Sequence, residues 1–258
     1  MKIEAHHPGF LGKVKILLDE VDSTQTFAAQ LLRDSPVTHG TLVMARYQHQ
    51  GQGRLGKTWQ SNTAENFTGS LILKHNWNTV PPPFALSQMV ALAIHSLIED
   101  VTGQSARIKW PNDILIANKK VSGILISNQW KGQLWESSIV GIGINVNQQS
   151  FDRSLSQAIS LITITGKPVD INEFIHQLMS LLNAYYFQLS TGNFDKINKE
   201  YHSSLYGATH PVTVKNLESG QIHLAQIEEV VPSGEIKLKM ESGEFRVFDL
   251  DQISILLP

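Results

Sequence analysis

The sequence changes its pattern near residue 208, and this change constrains the fold more than any single motif. From Pro211 onward, short segments that alternate apolar and polar residues follow one another at the spacing of a small β-barrel. These segments are HPVTVKN, IHLAQIEEV, GEIKLKM, EFRVFDL and ISILL. We therefore predict two domains, one over residues 1–207 and a small β-barrel over residues 208–258.

The first domain mixes helical and strand periods. Its clearest helix, Ala85–Thr102, carries an apolar stripe and is followed by Gly103, a residue type that commonly ends helices. A second amphipathic helix is predicted after Asp170, and a shorter one over residues 23–33. The other segments predict consecutive strands, so we expect an α+β domain with a mixed, largely antiparallel sheet. The predicted strands are residues 15–19, 41–47, 67–76, 107–110, 114–116, 121–127 and 134–146.

The composition excludes several classes of function. The 258 residues carry a net charge of −2 at pH 7, so no overall electrostatic attraction draws the chain to nucleic acid or anionic lipid. With no cysteine, disulfides and thiolate chemistry are excluded. No apolar run is long enough to span a bilayer, and the N-terminal residues lack the apolar core of a signal peptide. We expect a cytoplasmic protein without a membrane or nucleic-acid partner.

The stretch GQGRLGKT, residues 51–58, matches two phosphate-binding signatures, G-x-G-x-x-G and G-x-x-x-x-G-K-T. Both signatures require the glycine loop to begin a helix. The residues that follow have no helical repeat and lead into a strand, which disfavours both interpretations. The sequence then predicts a flexible loop whose backbone N–H groups, Arg54, Lys57 and Trp59 can close over an anionic, ring-bearing ligand such as a nucleotide.

Two further stretches each allow a structural and a functional interpretation. KWPND, residues 109–113, is either a plain strand-ending turn or a rigid corner that presents a lysine, an amide and a carboxylate. In GIGINVN, residues 141–147, alternation directs the apolar side chains to the core and leaves Gly141, Gly143 and Asn145 on the other face. That bare face indicates either a ligand lying on it or helix–sheet packing over glycine.

In KKVSGIL, residues 119–125, strict alternation directs Lys120 and Gly123 to opposite faces. Both residues can serve one site only if a β-bulge lies between them.

DSTQT, residues 22–26, is by default a helix N-cap, but its N–H groups and hydroxyls can also bind a small polar ligand. The histidines have no metal-binding spacing and no nucleophile–base pair stands out, so an enzyme of this sequence would work by positioning and electrostatics.

Taken together and in this order, the stretches STQ, GQGRLGKTW, KWPND, KVSGIL and GIGIN resemble the motifs of biotin protein ligases. The resemblance covers roughly residues 15–256. It implies a class II synthetase-like, biotin/lipoate ligase fold with an SH3-like C-terminal barrel. It also implies an ATP-dependent enzyme that converts biotin to biotinyl-5′-AMP and transfers the biotin to a lysine of a biotin carboxyl carrier domain of a carboxylase.

The resemblance also implies residue roles. Lys120 and Arg54 would be catalytic, bracketing the junction of carboxylate and phosphate. The implied biotin-binding residues are Ser23, Thr24, Gln25, Gln48, Gly51, Gln52, Gly53, Arg54, Lys120 and Gly123. The implied nucleotide-binding residues are Arg54, Lys57, Trp59, Asn112, Asp113 and Asn145. No direct metal motif is present, and a Mg²⁺ ion would lie near Asp113 and Asn145.

Two residues depart from the family pattern, which usually has Asn at position 25 and Arg at position 52, where this chain has Gln25 and Gln52. Because Gln52 removes a cation from the loop, we hypothesise that Lys57 compensates.

The ligase domain begins within about the first fifteen residues, so the short type without an N-terminal DNA-binding module is expected. A homodimer is possible. The alternatives are a lipoate or octanoyl ligase of the same fold, a P-loop NTPase, or a non-catalytic biotin-binding module.

Overall fold

A computed structural model of the chain describes residues 2–4, 10–77 and 79–258. The elements of the larger part are the strands β1 (Lys2–Glu4), β2 (Lys15–Val21), β3 (Thr41–Gln48), β4 (Phe67–Lys74), β5 (Ala106–Lys109), β6 (Asp113–Ile116), β7 (Lys119–Lys131) and β8 (Leu134–Ile144), and the helices α1 (Thr24–Asp34), α2 (Ala85–Thr102), α3 (Leu161–Thr165), α4 (Ile171–Ser190) and α5 (Phe194–Ser204). The C-terminal strands are β9 (Val212–Asn216), β10 (Ile222–Val230), β11 (Ile236–Met240), β12 (Phe245–Phe248) and β13 (Ile253–Leu256).

The first eight strands form one sheet in the order β1-β2-β3-β4-β8-β7-β6-β5. The pair β2–β3 is parallel and the other pairs are antiparallel. The last five strands form an antiparallel sheet in the order β12-β11-β10-β9-β13, which is consistent with an SH3-like barrel. The expected α+β fold with a mixed, largely antiparallel sheet is confirmed, whereas the domain boundary near residue 208 stays a prediction.

The large sheet has a different helix on each face. Ala28 of α1 shares a core cluster with Ile72 of β4 and Ile139 of β8, while the α2 residues share the other cluster with residues one position along, Leu71 and Val140. Successive side chains of a strand point to opposite faces, and this alternation divides the core into two layers. Helices α4 and α5 cover the outer side of α2, so α2 is buried around most of its circumference rather than along one stripe.

The helix ends follow their sequence signals. Gly103 ends α2 in the left-handed conformation, with φ of 64°. Asp170 caps α4 because its carboxylate accepts hydrogen bonds from the N–H groups of Asn172 and Glu173. Ser23 is the N-cap of α1, but its side chain makes no capping hydrogen bond. The hydroxyl group of Ser23 is therefore available for another partner.

The structure contains elements that the sequence analysis did not predict. These are β1, α3 and α5, together with the extension of β7 on both sides of the predicted residues 121–127. Within residues 10–77 and 79–258, we find no helix that combines the length and the apolar character needed to cross a membrane.

Candidate functional site

A cleft of about 900 Å³ lies on the α1 side of the large sheet, beyond the N-terminus of α1. The loop of residues 51–60 forms one wall, and Leu250 and Ile253 of the C-terminal part form another. Its size is that of ordinary ligand pockets. Among the site residues predicted from the sequence, those lining the cleft are Ser23, Thr24, Gln25, Gln48, Gln52, Gly53, Arg54, Lys57, Trp59, Asn112, Asp113, Lys120, Gly123 and Asn145.

Gly51 is the predicted site residue that does not line the cleft. It is buried, and a Cβ atom at this position would lie 2.4 Å from the carbonyl oxygen of Trp59 and 3.1 Å from Nε2 of Gln48. The N–H of Trp59 donates a hydrogen bond to the carbonyl of Gly51. Gly51 therefore allows the two ends of the loop to come together, which is a supporting role at this site.

The glycine-rich loop begins no helix. Residues Arg54–Gly56 form a single 3₁₀ turn in which Leu55 has a φ of 53°, and the chain then runs extended through Lys57. The dinucleotide and P-loop signatures both need a helix at this point to direct its N–H groups at a phosphate. The loop therefore has neither of these two conformations, in agreement with the sequence-based argument against both signatures.

The bare face of β8 is covered by the chain itself. Gly143 and Gly123 are directly opposite each other in the β7–β8 pair. A Cβ atom at Gly143 would lie 2.3 Å from Cε2 of Trp59, and one at Gly123 would lie 3.1 Å from Cζ3 of the same indole. The two glycines therefore leave room for the indole of Trp59. A ligand in the cleft would contact this indole as well as the strand backbone.

Lys120 and Gly123 serve the same face because β7 contains the required bulge. The register of the β6–β7 pair shifts between Ile114, opposite Ser122, and Leu115, opposite Lys120. The extra residue reverses the alternation. As a result, Nζ of Lys120 lies 3.1 Å from the position of a Cβ atom on Gly123.

The end of the cleft near β5, β6 and β7 is rich in cations. Nζ of Lys120 lies 2.6 Å from Oδ1 of Asp113. The guanidinium of Arg54 donates to the carbonyl of Leu250 at 3.2 Å. Burial lowers the pKa of Arg54 and of Lys109, and the charge of Asp113 opposes this effect in both cases. Asp113 is the one carboxylate among the described residues that line the cleft, so the cations outnumber the anions and the site favours an anionic ligand.

The other end of the cleft is polar and uncharged. Thr24 donates from its backbone N–H and its hydroxyl to Oε1 of Gln48, at 2.8 and 3.1 Å, and its hydroxyl lies 2.9 Å from that of Ser70. The hydroxyl of Ser23 is buried and has no hydrogen-bond partner among the described residues. A buried hydroxyl without a partner is costly, and because Ser23 lines the cleft a polar ligand there can supply the missing hydrogen bond.

The two departures from the family motifs have different surroundings. Gln25 is 7% exposed, donates to Ser127 and to the carbonyl of Ile139, and accepts from Ser70. Its extra methylene is thus accommodated within a complete hydrogen-bond network. Gln52 is exposed and donates to the hydroxyl of Thr26 at 3.1 Å. Lys57 is exposed on the same loop.

The KWPND corner combines supporting and cavity-lining residues. Trp110 is buried, and its indole N–H donates to the carbonyl of Gly234 in the C-terminal sheet. The side chain of Asn112 donates to the carbonyl of Ile124. Asn145 likewise donates to the carbonyl of Ile159. These bonds hold the corner and the end of β8 against their neighbours, which fixes the positions of Asp113 and Lys120.

The sequence analysis missed several cavity-lining residues. Lys109 was noted as part of the KWPND corner but was not assigned to the site, and Ser70, Phe151 and Leu250 carried no signal of their own. Lys109 had a detectable signal, because it belongs to the same KWPND motif as Asp113. The structure shows that the two residues are directly opposite each other in the β5–β6 pair.

A divalent cation would have few protein ligands here. Within the described part of the chain, no three His, Cys, Asp or Glu side chains cluster to form a metal site. Mg²⁺ is commonly held by one or two carboxylates together with substrate phosphates. Asp113 fits that arrangement, and the phosphates of a nucleotide would have to supply the other ligands.

Residues 17–145 match the Biotin/lipoate A/B protein ligase family, and the chain belongs to this family. It is 36% identical over 200 residues to "Bifunctional ligase/repressor BirA" of Bacillus spizizenii, covering 76% of this chain and 61% of that protein. It is 32% identical over 192 residues to "Biotin--[acetyl-CoA-carboxylase] ligase" of Paracoccus denitrificans, covering 72% of this chain and 78% of the relative.

The fold is also similar to solved structures. The biotin protein ligase from Aquifex aeolicus in complex with biotin and ATP superposes with a TM-score of 0.76 at 25% identity. The superposition covers 95% of this chain and 99% of that one. This chain nevertheless spans only about 61% of the length of the first curated relatives that it matches.

Proposed function

We propose that the protein is a biotin–protein ligase, which activates biotin with ATP and transfers it to a lysine of a biotin carboxyl carrier domain. The observation that carries this proposal is that one cleft joins an uncharged polar pocket to a cluster of cations. Biotin has the matching polarity, since its ureido ring offers hydrogen-bond donors and an acceptor at one end and its carboxylate lies at the other.

The spacing of the strands supports this orientation. The polar pocket is next to Ser70 of β4, and the cations begin at Lys120 of β7, with β8 between them. Two strand spacings are roughly 10 Å. The indole of Trp59, which packs on Gly123 and Gly143, lies along this path and offers an apolar surface suited to the aliphatic chain of biotin. We propose that Ser23, Thr24 and Gln48 bind the ureido ring.

The cations provide the chemistry of the first half-reaction. The carboxylate of biotin attacks the α-phosphorus of ATP, the bond between the α- and β-phosphates breaks, and pyrophosphate leaves. Two anions repel each other as they approach, and fixed positive charges remove this obstacle. We assign this role to Lys120 and Arg54, while Lys57, Trp59, Asn112, Asp113 and Asn145 hold the nucleotide. Mg²⁺ held chiefly by the phosphates, near Asp113 and Asn145, would neutralise further charge.

In the second half-reaction, the amine of the acceptor lysine attacks the carbonyl carbon of biotinyl-AMP. An amide bond forms, AMP leaves, and a proton is released. The mixed anhydride is already activated, so this step needs positioning of the acceptor more than a dedicated base. The acceptor carboxylase, a cytoplasmic location, self-association and the absence of a nucleic-acid partner remain predictions of the sequence.

Lipoate ligation is the alternative within the family. The polar pocket favours biotin, because the dithiolane ring of lipoate has no N–H or carbonyl group to satisfy the hydroxyl of Ser23. A P-loop NTPase is disfavoured by the loop conformation described above.

Incubation with ATP, Mg²⁺ and either radiolabelled biotin or lipoate tests the proposal. We expect pyrophosphate and biotinyl-AMP with biotin, and at most a trace of product with lipoate. Lys120→Ala should bind biotin but form little adenylate. Lipoyl-AMP as the main product would assign the alternative, and biotin binding without pyrophosphate release would indicate a non-catalytic module.

A further inference from the structure

We propose that Lys109 is a positioning residue, which replaces Lys120 as the partner of Asp113 when the anionic substrates bind. This inference rests on the proposed ligase function and deepens it. The ammonium group of Lys120 would have to weaken its ion pair with Asp113 in order to bind a phosphate. In the structure Lys120 is paired with this carboxylate, with 2.6 Å between Nζ and Oδ1.

Lys109 is placed to take over this carboxylate. A single row of residues crosses the sheet, in which Gly143 is opposite Gly123, Gly123 is opposite Asp113, and Asp113 is opposite Lys109. Residues opposite each other in a β pair share a face and have neighbouring side chains. Asp113 therefore lies between Lys120 on one side and Lys109 on the other.

The ammonium group of Lys109 makes no ion pair and no hydrogen bond with the residues that the structure describes. It lines the cleft and is partly buried, and this burial lowers its pKa while the charge of Asp113 raises it. Lys109 is a partly desolvated cation beside a carboxylate that is already paired with Lys120. It can therefore pair with Asp113 once Lys120 moves away.

The exchange solves an electrostatic problem of the reaction. The side chain of Asp113 is only 19% exposed. If Lys120 moved to the phosphate and left this carboxylate unpaired, the remaining negative charge would repel the nucleotide. Lys109 would neutralise it. The other cations are less suited, because Lys57 is exposed on the loop and Arg54 is bonded to the carbonyl of Leu250.

A double-mutant cycle with Asp113 tests this role. The proteins are wild type, Lys109→Met, Asp113→Asn and the double variant, with Lys109→Arg as the conservative variant. Lys119→Met is the matched control, since Lys119 is the exposed neighbour of Lys120 and does not line the cleft. Thermal unfolding first establishes that each variant is folded. Single-turnover formation of biotinyl-AMP gives the rate, and calorimetry with a non-hydrolysable biotinyl-adenylate analogue gives an affinity that does not depend on turnover.

We expect Lys109→Met to slow adenylate formation roughly tenfold and to weaken the analogue by a similar factor, the effect of losing one nearby charge. The KM for biotin should stay near that of wild type, and Lys109→Arg should recover most of the rate. In the Asp113→Asn background the same substitution should have an effect of about twofold or less, because the carboxylate that traps Lys120 is gone.

An equal loss in both backgrounds would overturn the inference, since Lys109 would then act on the ligand directly. A Lys109→Met variant as active as wild type would overturn it too. Failure of the proposed function is a separate result, in which wild type and Lys119→Met themselves form no biotinyl-AMP.

Discussion

The indole of Trp59 packs on Gly143 so closely that a Cβ atom at position 143 would lie 2.3 Å from its Cε2 atom. The side chain that covers the floor of the cleft is therefore part of the loop of residues 51–60. Any residue larger than glycine at position 143 must move this indole, and the loop with it.

Gly143→Ala should consequently impair ligand binding more than folding. We expect biotin and the adenylate to bind roughly tenfold more weakly, the size of effect that a displaced cavity wall produces. Calorimetry measures the affinities and thermal unfolding measures the stability. The double variant Gly143→Ala with Trp59→Ala should show no additional loss relative to Trp59→Ala alone. An affinity unchanged in Gly143→Ala would mean that Trp59 has no part in binding.

Arg54 should contribute to the chemical step through its charge. Arg54→Met is expected to slow adenylate formation by about 100-fold, as loss of one group that stabilises a transition state commonly does. Arg46→Met serves as the control, because Arg46 is exposed and pairs with Asp19 outside the cleft. Quenched-flow measurement of pyrophosphate provides the rates. Equal rates for the two variants would remove Arg54 from the proposed machinery.

The loop should tolerate Gln52 because Lys57 supplies the missing charge. Lys57→Ala is expected to slow adenylate formation markedly, and adding Gln52→Arg to this variant should restore much of the rate. The same pyrophosphate assay distinguishes the cases. If Lys57→Ala leaves the burst of pyrophosphate unchanged, Lys57 does not compensate, and Gln52→Arg should then have no rescuing effect.

His75 should make the stability depend on pH. Burial lowers its pKa to about 4 from 6.5, with a further decrease from the charge of His39, so the unfolded chain binds more protons between these values. The stabilisation that comes from neutral His75 is therefore complete above about pH 6.5 and is lost as the pH falls toward 4. Urea unfolding at pH 7 and pH 5 measures the loss, which we expect to be up to about 2 kcal/mol. His75→Phe should reduce this dependence, and an identical dependence would exclude His75 as its source.

The periodic elements could be predicted from the sequence because they depend on local patterns. Helix α2 has the predicted bounds, and the five C-terminal strands fall in the five predicted segments. Helix α5 was missed although Ile197 and Tyr201 are spaced four residues apart on its buried side. The helix begins directly after Gly192 and Asn193, two residue types that are typical of loops, and only two of its residues are buried.

The contacts across the cleft could not be predicted in the same way. The bulge at Val121, which brings Lys120 and Gly123 to one face, depends on the pairing register of β6 and β7. The bond from Arg54 to the carbonyl of Leu250 joins residues 196 positions apart and involves a backbone atom. Backbone acceptors leave no trace in the residue type, so such a contact is visible only in the folded structure.

The intact mass of a carboxyl carrier domain, incubated with the protein, ATP, Mg²⁺ and biotin, decides whether this protein attaches biotin to an acceptor lysine. We predict a single added biotinyl group on that lysine, absent without ATP and strongly reduced with Lys120→Ala. A carrier domain of unchanged mass, with wild-type protein that is folded and binds biotin, would contradict it.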